Sequence, residues 1–209
     1  FLNGEGNGRL TNYIRPSGQC QESGRDQHHT LMGLGYLTSA AEIARNQGLD
    51  LYETAGNRLA TAFEYCAQYG LGHAVPFERF VSFGGWDDHH KISEVGRGWE
   101  VPVFELAYRH YHHRKKMPMP FSEQVLRKTR PEEPSTTHKP WSTLMCAQEP
   151  LPVKKVALRV EKLAAIRGTE KWDWWQARTA QVPGDQPFWI TTMSETGKKV
   201  SHDFHDIYQ

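Results

Sequence analysis

Two apolar stripes at helical spacing, each closed by a glycine, constrain the fold of this chain more than any other feature. Between residues 26 and 47, Leu31, Leu34, Leu37, Ala41 and Ala44 recur at three- and four-residue steps, and Gly48 follows as a stop. Gly33 and Gly35 sit inside that run, where a missing side chain permits close approach of a neighbouring segment. A second helix is predicted over residues 50–69, with Asp50 as N-cap and Glu53 three positions on as its capping-box partner. Leu51, Ala55, Leu59, Ala62, Phe63 and Cys66 form its stripe, and Gly70 ends it. A helix with one apolar face must bury that face, so paired antiparallel helices joined by loops are expected.

The rest of the chain falls into distinct stretches. The first 24 residues are dense in Gly and Asn and read as loop. Gly4, Gly6 and Gly8 follow no strand and precede no Lys-Ser/Thr pair, which excludes a phosphate-cradling loop. Residues 70–98 form a long loop, expected to be functional at that length. A third helix is predicted over residues 102–114, with Phe104, Leu106, Ala107, Tyr108 and Tyr111 on its buried face. A short fourth is predicted from Ser122 to Lys128, with Ser122 as cap. Residues 131–152 carry five prolines and read as a linker. Beyond it Val156, Leu158 and Val160 alternate, and residues 174–182 and 188–193 read as strands around Pro183-Gly184-Asp185. The expected organisation is a mainly α unit over 1–130, a Pro-rich linker over 131–152 and a short β-rich segment over 153–209.

Charge and composition narrow the function. Lys and Arg total 25 against 24 acidic residues, so no global field favours nucleic acid or a membrane surface. An anionic substrate must therefore be held by a local cluster of donors. No run of 18 apolar residues provides a transmembrane helix. Cys20, Cys66 and Cys146 form neither a metal-type pair nor an even disulfide framework. The chain starts on Phe1 without a basic-then-apolar leader, so it is expected to be a piece of a longer protein. With 11 His, 7 Trp and 8 Tyr it is rich in side chains that stack on sugar faces and reach hydroxyls, although aromatics also serve as ordinary core.

Chemistry concentrates between residues 21 and 29. Gln21, Glu22, Arg25, Asp26, Gln27, His28 and His29 stand at a loop-to-helix junction, where free backbone N–H groups and the positive dipole end also favour an anion. Arg25 is suited to bidentate capture of a carboxylate, with Gln21 as a further donor. His28 and His29 are the candidates for proton transfer. His29 shares the inner-face register of Gly33 and Leu37 and is preferred. The same residues also suit a capped helix start with solvated charges. His89-His90 and the set His110, His112 and His113 lack a carboxylate or thiolate at ligand spacing and lie among cations, so no metal site is predicted.

QESGRDQHHT, then LGYLTSAAEIARNQGLDLY, NRLATAFEYCAQYGLG and KISEVGRGW...VFELAYRHY, resemble in order the alginate lyase domain family of polysaccharide lyases, across about residues 3–130. The resemblance implies part of an (α/α) toroid or incomplete barrel. It implies β-elimination on a uronate polysaccharide such as alginate or glucuronan, without metal or other cofactor, in the periplasm or outside the cell. Arg25 and Gln21 would then stabilise the sugar carboxylate, and His29, with His28 beside it, would move the proton. Glu22 or Asp26 would orient the base, and Gln27 would join them in binding substrate. Tyr13, Tyr36 and Tyr69 are lesser candidates for the acid, and Trp86 and Tyr65 for stacking on sugar. The family also uses an Asn-His pair on an earlier helix, expected upstream of Phe1, so this chain by itself is expected to be incomplete as a catalyst. The tail, DWWQARTAQVPG and PFWITTMSETG, resembles more weakly the opening strands of a sialidase-like β-propeller. A non-catalytic carbohydrate-binding module and an accessory domain of a sialidase-like glycoside hydrolase are the rival expectations. The expected partner is an anionic polysaccharide, with no nucleic acid and no membrane.

Overall fold

The computed structural model describes residues 1–6, 8–82, 84–85, 87–131 and 142–149, and the backbone of residues 190–193 and 199–202. The described chain is mainly helical. In order it forms α1 (Leu10–Tyr13), a 3-10 turn (Gln21–Gly24), α2 (Gln27–Asn46), α3 (Thr54–Gly70), β1 (Phe80–Val81), β2 (Asp88–His89) and α4 (Phe104–Tyr108). Then come a π-helical turn (Arg109–Arg114), α5 (Pro120–Thr129), α6 (Ser142–Cys146), β3 (Ile190–Met193) and β4 (Lys199–His202). Residues 1–133 and 137–149 form one compact unit, and residues 134–136 and 150–209 a second.

In the first unit α2 keeps the expected register. Leu31, Leu34, Leu37, Thr38 and Ala41 are buried along one face. The glycines inside it serve close approach. A Cβ on Gly33 would stand 2.0 Å from the Tyr13 hydroxyl, which instead reaches the backbone carbonyls of His29 and Thr30 at 3.2 Å each. A Cβ on Gly35 would press on Val103 at 3.2 Å. Gly48 takes a left-handed φ of 86° just past the helix, donating to Arg45 O while Leu49 N closes back on Ala44 O.

α3 starts later than its sequence suggests. Asp50 Oδ1 accepts from Tyr52 N in a local turn, and Glu53 pairs with Lys115 across the fold, so the capping box does not form. Ala55, Gly56 and Asn57 all adopt left-handed angles (φ 52°, 69° and 63°), leaving right-handed helix from Arg58 onward. Ala55 is therefore exposed and leaves the apolar stripe. Leu59, Ala62, Phe63, Cys66 and Ala67 carry the buried face against α1, α2, α4 and α5. Tyr108 and Tyr111, following Phe104 across the α-to-π junction, complete the core.

α5 likewise departs from its predicted start. Pro120, not Ser122, opens it, where a missing N–H is no loss. The cap comes from α3: both Glu64 carboxylate oxygens accept from the first turn, Phe121 N at 3.0 Å and Ser122 N at 2.8 Å. Glu105 and Arg130 form a buried two-pronged ion pair that ties α4 to the end of α5. Residues 70–98, expected as plain loop, contain the two-residue hairpin β1–β2, with Phe80 opposite His89 and Val81 opposite Asp88.

In the second unit β3 pairs antiparallel with β4, Ile190 opposite His202 and Met193 opposite Lys199. β3 falls within the strand predicted over 188–193, and β4 was not expected. The other predicted strands lie outside the described residues, as do Trp86 and most of the proline-rich stretch.

Candidate active site

The turn that carries the polar cluster is locked by its own sequence. Ser23 Oγ accepts from Cys20 N (3.1 Å) while Ser23 N donates to Cys20 O (3.1 Å), winding residues 21–24 into one 3-10 turn. Gly24 has no room for a side chain, since a Cβ there would lie 2.2 Å from His89 Cβ on the hairpin. Asp26, in extended conformation, caps α2 with Oδ1 accepting from His29 N at 2.7 Å.

The second oxygen of Asp26 sets the chemistry. Oδ2 lies 2.7 Å from His29 Nδ1, and Arg25 Nη2 lies 3.1 Å from His29 Nε2. An ionised carboxylate only accepts and a guanidinium only donates, so the arrangement fits a neutral ring with its proton on Nδ1 and its lone pair on Nε2. Partial desolvation pushes the Asp26 carboxyl up. Hydrogen bonds from the His29 backbone and ring, with Arg25 beside it, outweigh that and hold its pKa below the ordinary carboxylate value. Arg25 is exposed and also touches Glu22 Oε2 at 3.4 Å and Asp26 Oδ2 at 3.7 Å. Gln21 is buried, its Nε2 3.4 Å from Glu22 Oε1, and its Oε1 has no protein partner. Gln21, Glu22, Arg25, Asp26 and His29 thus form one connected group, with His28 edge-on to His29 at 5.8 Å between ring centres.

Other predicted residues lie elsewhere. Gln27 is buried, and its amide donates to Ser23 O (3.1 Å) and Ser93 O (2.8 Å), so it braces the backbone around the cluster. Tyr36 is 60% exposed on α2, seven residues beyond His29 and so on nearly the same face about 10 Å along the axis. Tyr69 is buried, donates to Ser93 O (3.2 Å), and has its pKa pushed up to about 12 by desolvation and the Glu94 carboxylate. Tyr13 and Tyr65 are buried with hydroxyls committed to backbone carbonyls, and burial raises both pKa values further. Sequence reasoning passed over Trp99, which is 57% exposed with its ring 6.0 Å from that of His28. The signal available for it was an aromatic directly after two glycines in Gly96-Arg97-Gly98-Trp99.

Among the described residues, one group of His, Cys, Asp or Glu has ligand atoms close enough to share a metal ion: Asp26, His28 and His29, within 4.8 Å of one another. The Arg25 guanidinium stands against two of them, placing a fixed positive charge where a cation would sit.

An acid-anchored imidazole beside an exposed guanidinium has the chemistry to take a proton next to a carboxylate. Residues 4–75 match the model of the alginate lyase family. No curated protein and no solved structure matches the chain. The alginate lyase match takes in the whole Gln21–His29 cluster, α2 and α3, and supports a polysaccharide lyase at the level of the family. It ends before the hairpin, Trp99, α4 and α5.

Proposed function

We propose that the chain carries part of the catalytic site of a lyase acting by β-elimination on a uronate polysaccharide of the alginate or glucuronan type. The observation that supports this most directly is the Asp26–His29–Arg25 arrangement inside the alginate lyase match. Arg25 holds the sugar carboxylate, which lowers the cost of negative charge developing at C5. As Arg25 turns to that carboxylate, His29 Nε2 is uncovered with its lone pair ready. It takes the C5 proton, the C4–O bond breaks, a C4=C5 double bond forms, and the proton passes from the ring to the departing oxygen. Asp26 keeps the imidazole in the required tautomer and steadies it while it is charged. The helices belong, on this reading, to an (α/α) toroid in a protein that meets its polymer in the periplasm or outside the cell.

The test follows ultraviolet absorbance of the unsaturated uronate product, using the full chain with alginate, glucuronan and other polyuronates. Arg25→Ala and His29→Ala are each expected to lower kcat/KM by at least about 10²-fold, the usual scale of positioned acid–base and charge-stabilising groups. Product formation undiminished in both variants would remove these residues from the chemistry.

A further inference from the structure

We propose that Trp99 is a sugar-stacking platform that seats the polymer beside the His28–His29–Arg25 strip. The proposal rests on the uronate reading above, and it concerns a residue outside the alginate lyase match.

Residues 93–99 are held in place from two sides. Gln27 N donates to Val95 O (2.9 Å), Ser93 N to Ser23 O (2.9 Å), and the Gln27 amide to Ser93 O (2.8 Å). These bonds fix the loop to the start of α2, the segment that carries His28 and His29. Arg97 braces it from the other side. Its Nε donates to Tyr69 O (3.0 Å), its Nη2 to His73 O (3.1 Å), and its guanidinium lies 4.1 Å over the Tyr69 ring. Gly96 (φ 73°) and Gly98 (φ 78°) take left-handed angles that turn the chain sharply before Trp99. Gly96 also makes room: a Cβ there would meet the indole at 3.2 Å and His28 N at 3.4 Å.

All of this anchoring ends in an indole that remains 57% exposed. A pinned loop presenting a large flat apolar surface to water is poor use of a tryptophan for stability, because burial is what an indole contributes. It is well suited to a pyranose, whose C–H face lies on an aromatic ring while its hydroxyls stay hydrated. The surroundings fit an acidic sugar. Trp99 lines a cleft that also takes in Lys128, a cation for a uronate carboxylate, and Glu100, an acceptor for hydroxyls. The rings of Trp99, His28 and His29 follow one another at 6.0 and 5.8 Å, so a short oligosaccharide on the platform leads directly to Arg25.

Titration calorimetry on the full chain tests this, with oligouronates of defined length and a neutral pyranose oligosaccharide as ligands. Trp99→Ala should weaken oligouronate binding about tenfold, the scale of one lost aromatic contact, and Trp99→Phe should recover most of it. Ile43→Ala, at an exposed apolar side chain elsewhere on α2, should change nothing. In the lyase assay Trp99→Ala should raise KM with kcat nearly kept, because the platform holds ground and transition state alike. Unchanged affinity of Trp99→Ala for both ligands, or a wild type that binds neither, overturns the platform whatever the lyase assay returns. Oligosaccharide binding that depends on Trp99, with product formation undiminished in Arg25→Ala and His29→Ala, upholds the platform and overturns the proton-transfer roles given to those two residues.

Discussion

Asp26 performs two tasks with two oxygens, and a pair of substitutions separates them. Oδ1 caps α2 at His29 N, and Oδ2 anchors the His29 ring, each at 2.7 Å. Asparagine caps as well as aspartate, so Asp26→Asn should keep the contribution of the cap and give up only the ionic one of the carboxylate. Its one oxygen then serves the backbone, and an NH2 group faces Nδ1. The ring must accept there, which moves its proton to Nε2 and removes the base. kcat/KM should fall by about 10²- to 10⁴-fold, the full contribution of a general base. Asp26→Ala loses the cap too, at a cost of about 1 kcal/mol, or about 2–4 °C in Tm for a chain of this size. Differential scanning calorimetry and the ultraviolet product assay read the two quantities separately. The charge adds a pH signature. The folded pKa of Asp26 is lowered, so its ionic stabilisation is present above about pH 4, the unfolded value, and is lost as pH falls through the folded one. Asp26→Asn should lack that acid-side loss. Wild-type turnover in Asp26→Asn would refute the tautomer argument, and equal melting of the Asn and Ala variants would refute the cap.

His110 is buried and stacked on Tyr52 at 3.8 Å, and desolvation lowers its pKa to about 4. The unfolded chain takes up the proton first, so stability should decline as pH falls from about 6.5 toward 4, at up to about 1.4 kcal/mol per pH unit. His110→Phe, which keeps the stacked ring, should flatten that slope in urea titrations across the window. Ala55 holds a left-handed backbone (φ 52°) in an exposed position, so Ala55→Gly should stabilise the fold by about 1 kcal/mol by thermal unfolding. A lower Tm in Ala55→Gly would contradict the left-handed turn before α3.

The sequence by itself determined what local chemistry controls. The stripe from Leu31 to Ala41, the stop at Gly48 and the capped start at Asp26 depend on neighbours within a turn or two. That is also why Arg25, Asp26 and His29 could be read as one cluster: at i, i+1 and i+4 of a helix start they are bound to meet. Where local spacing misled, a partner distant in the chain was the cause. Asp50 and Glu53 fit a capping box in spacing, but Lys115, 62 residues away, draws Glu53 off. Ser122 looked like a cap until Glu64 of α3 supplied one. Only the tertiary structure decided that Gln27 and Tyr69 hold a loop, and that the same loop carries Trp99 to His28. Those contacts join residues 24 to 71 positions apart, where no periodicity in the chain records which groups will face each other and only packing of the helices brings them together.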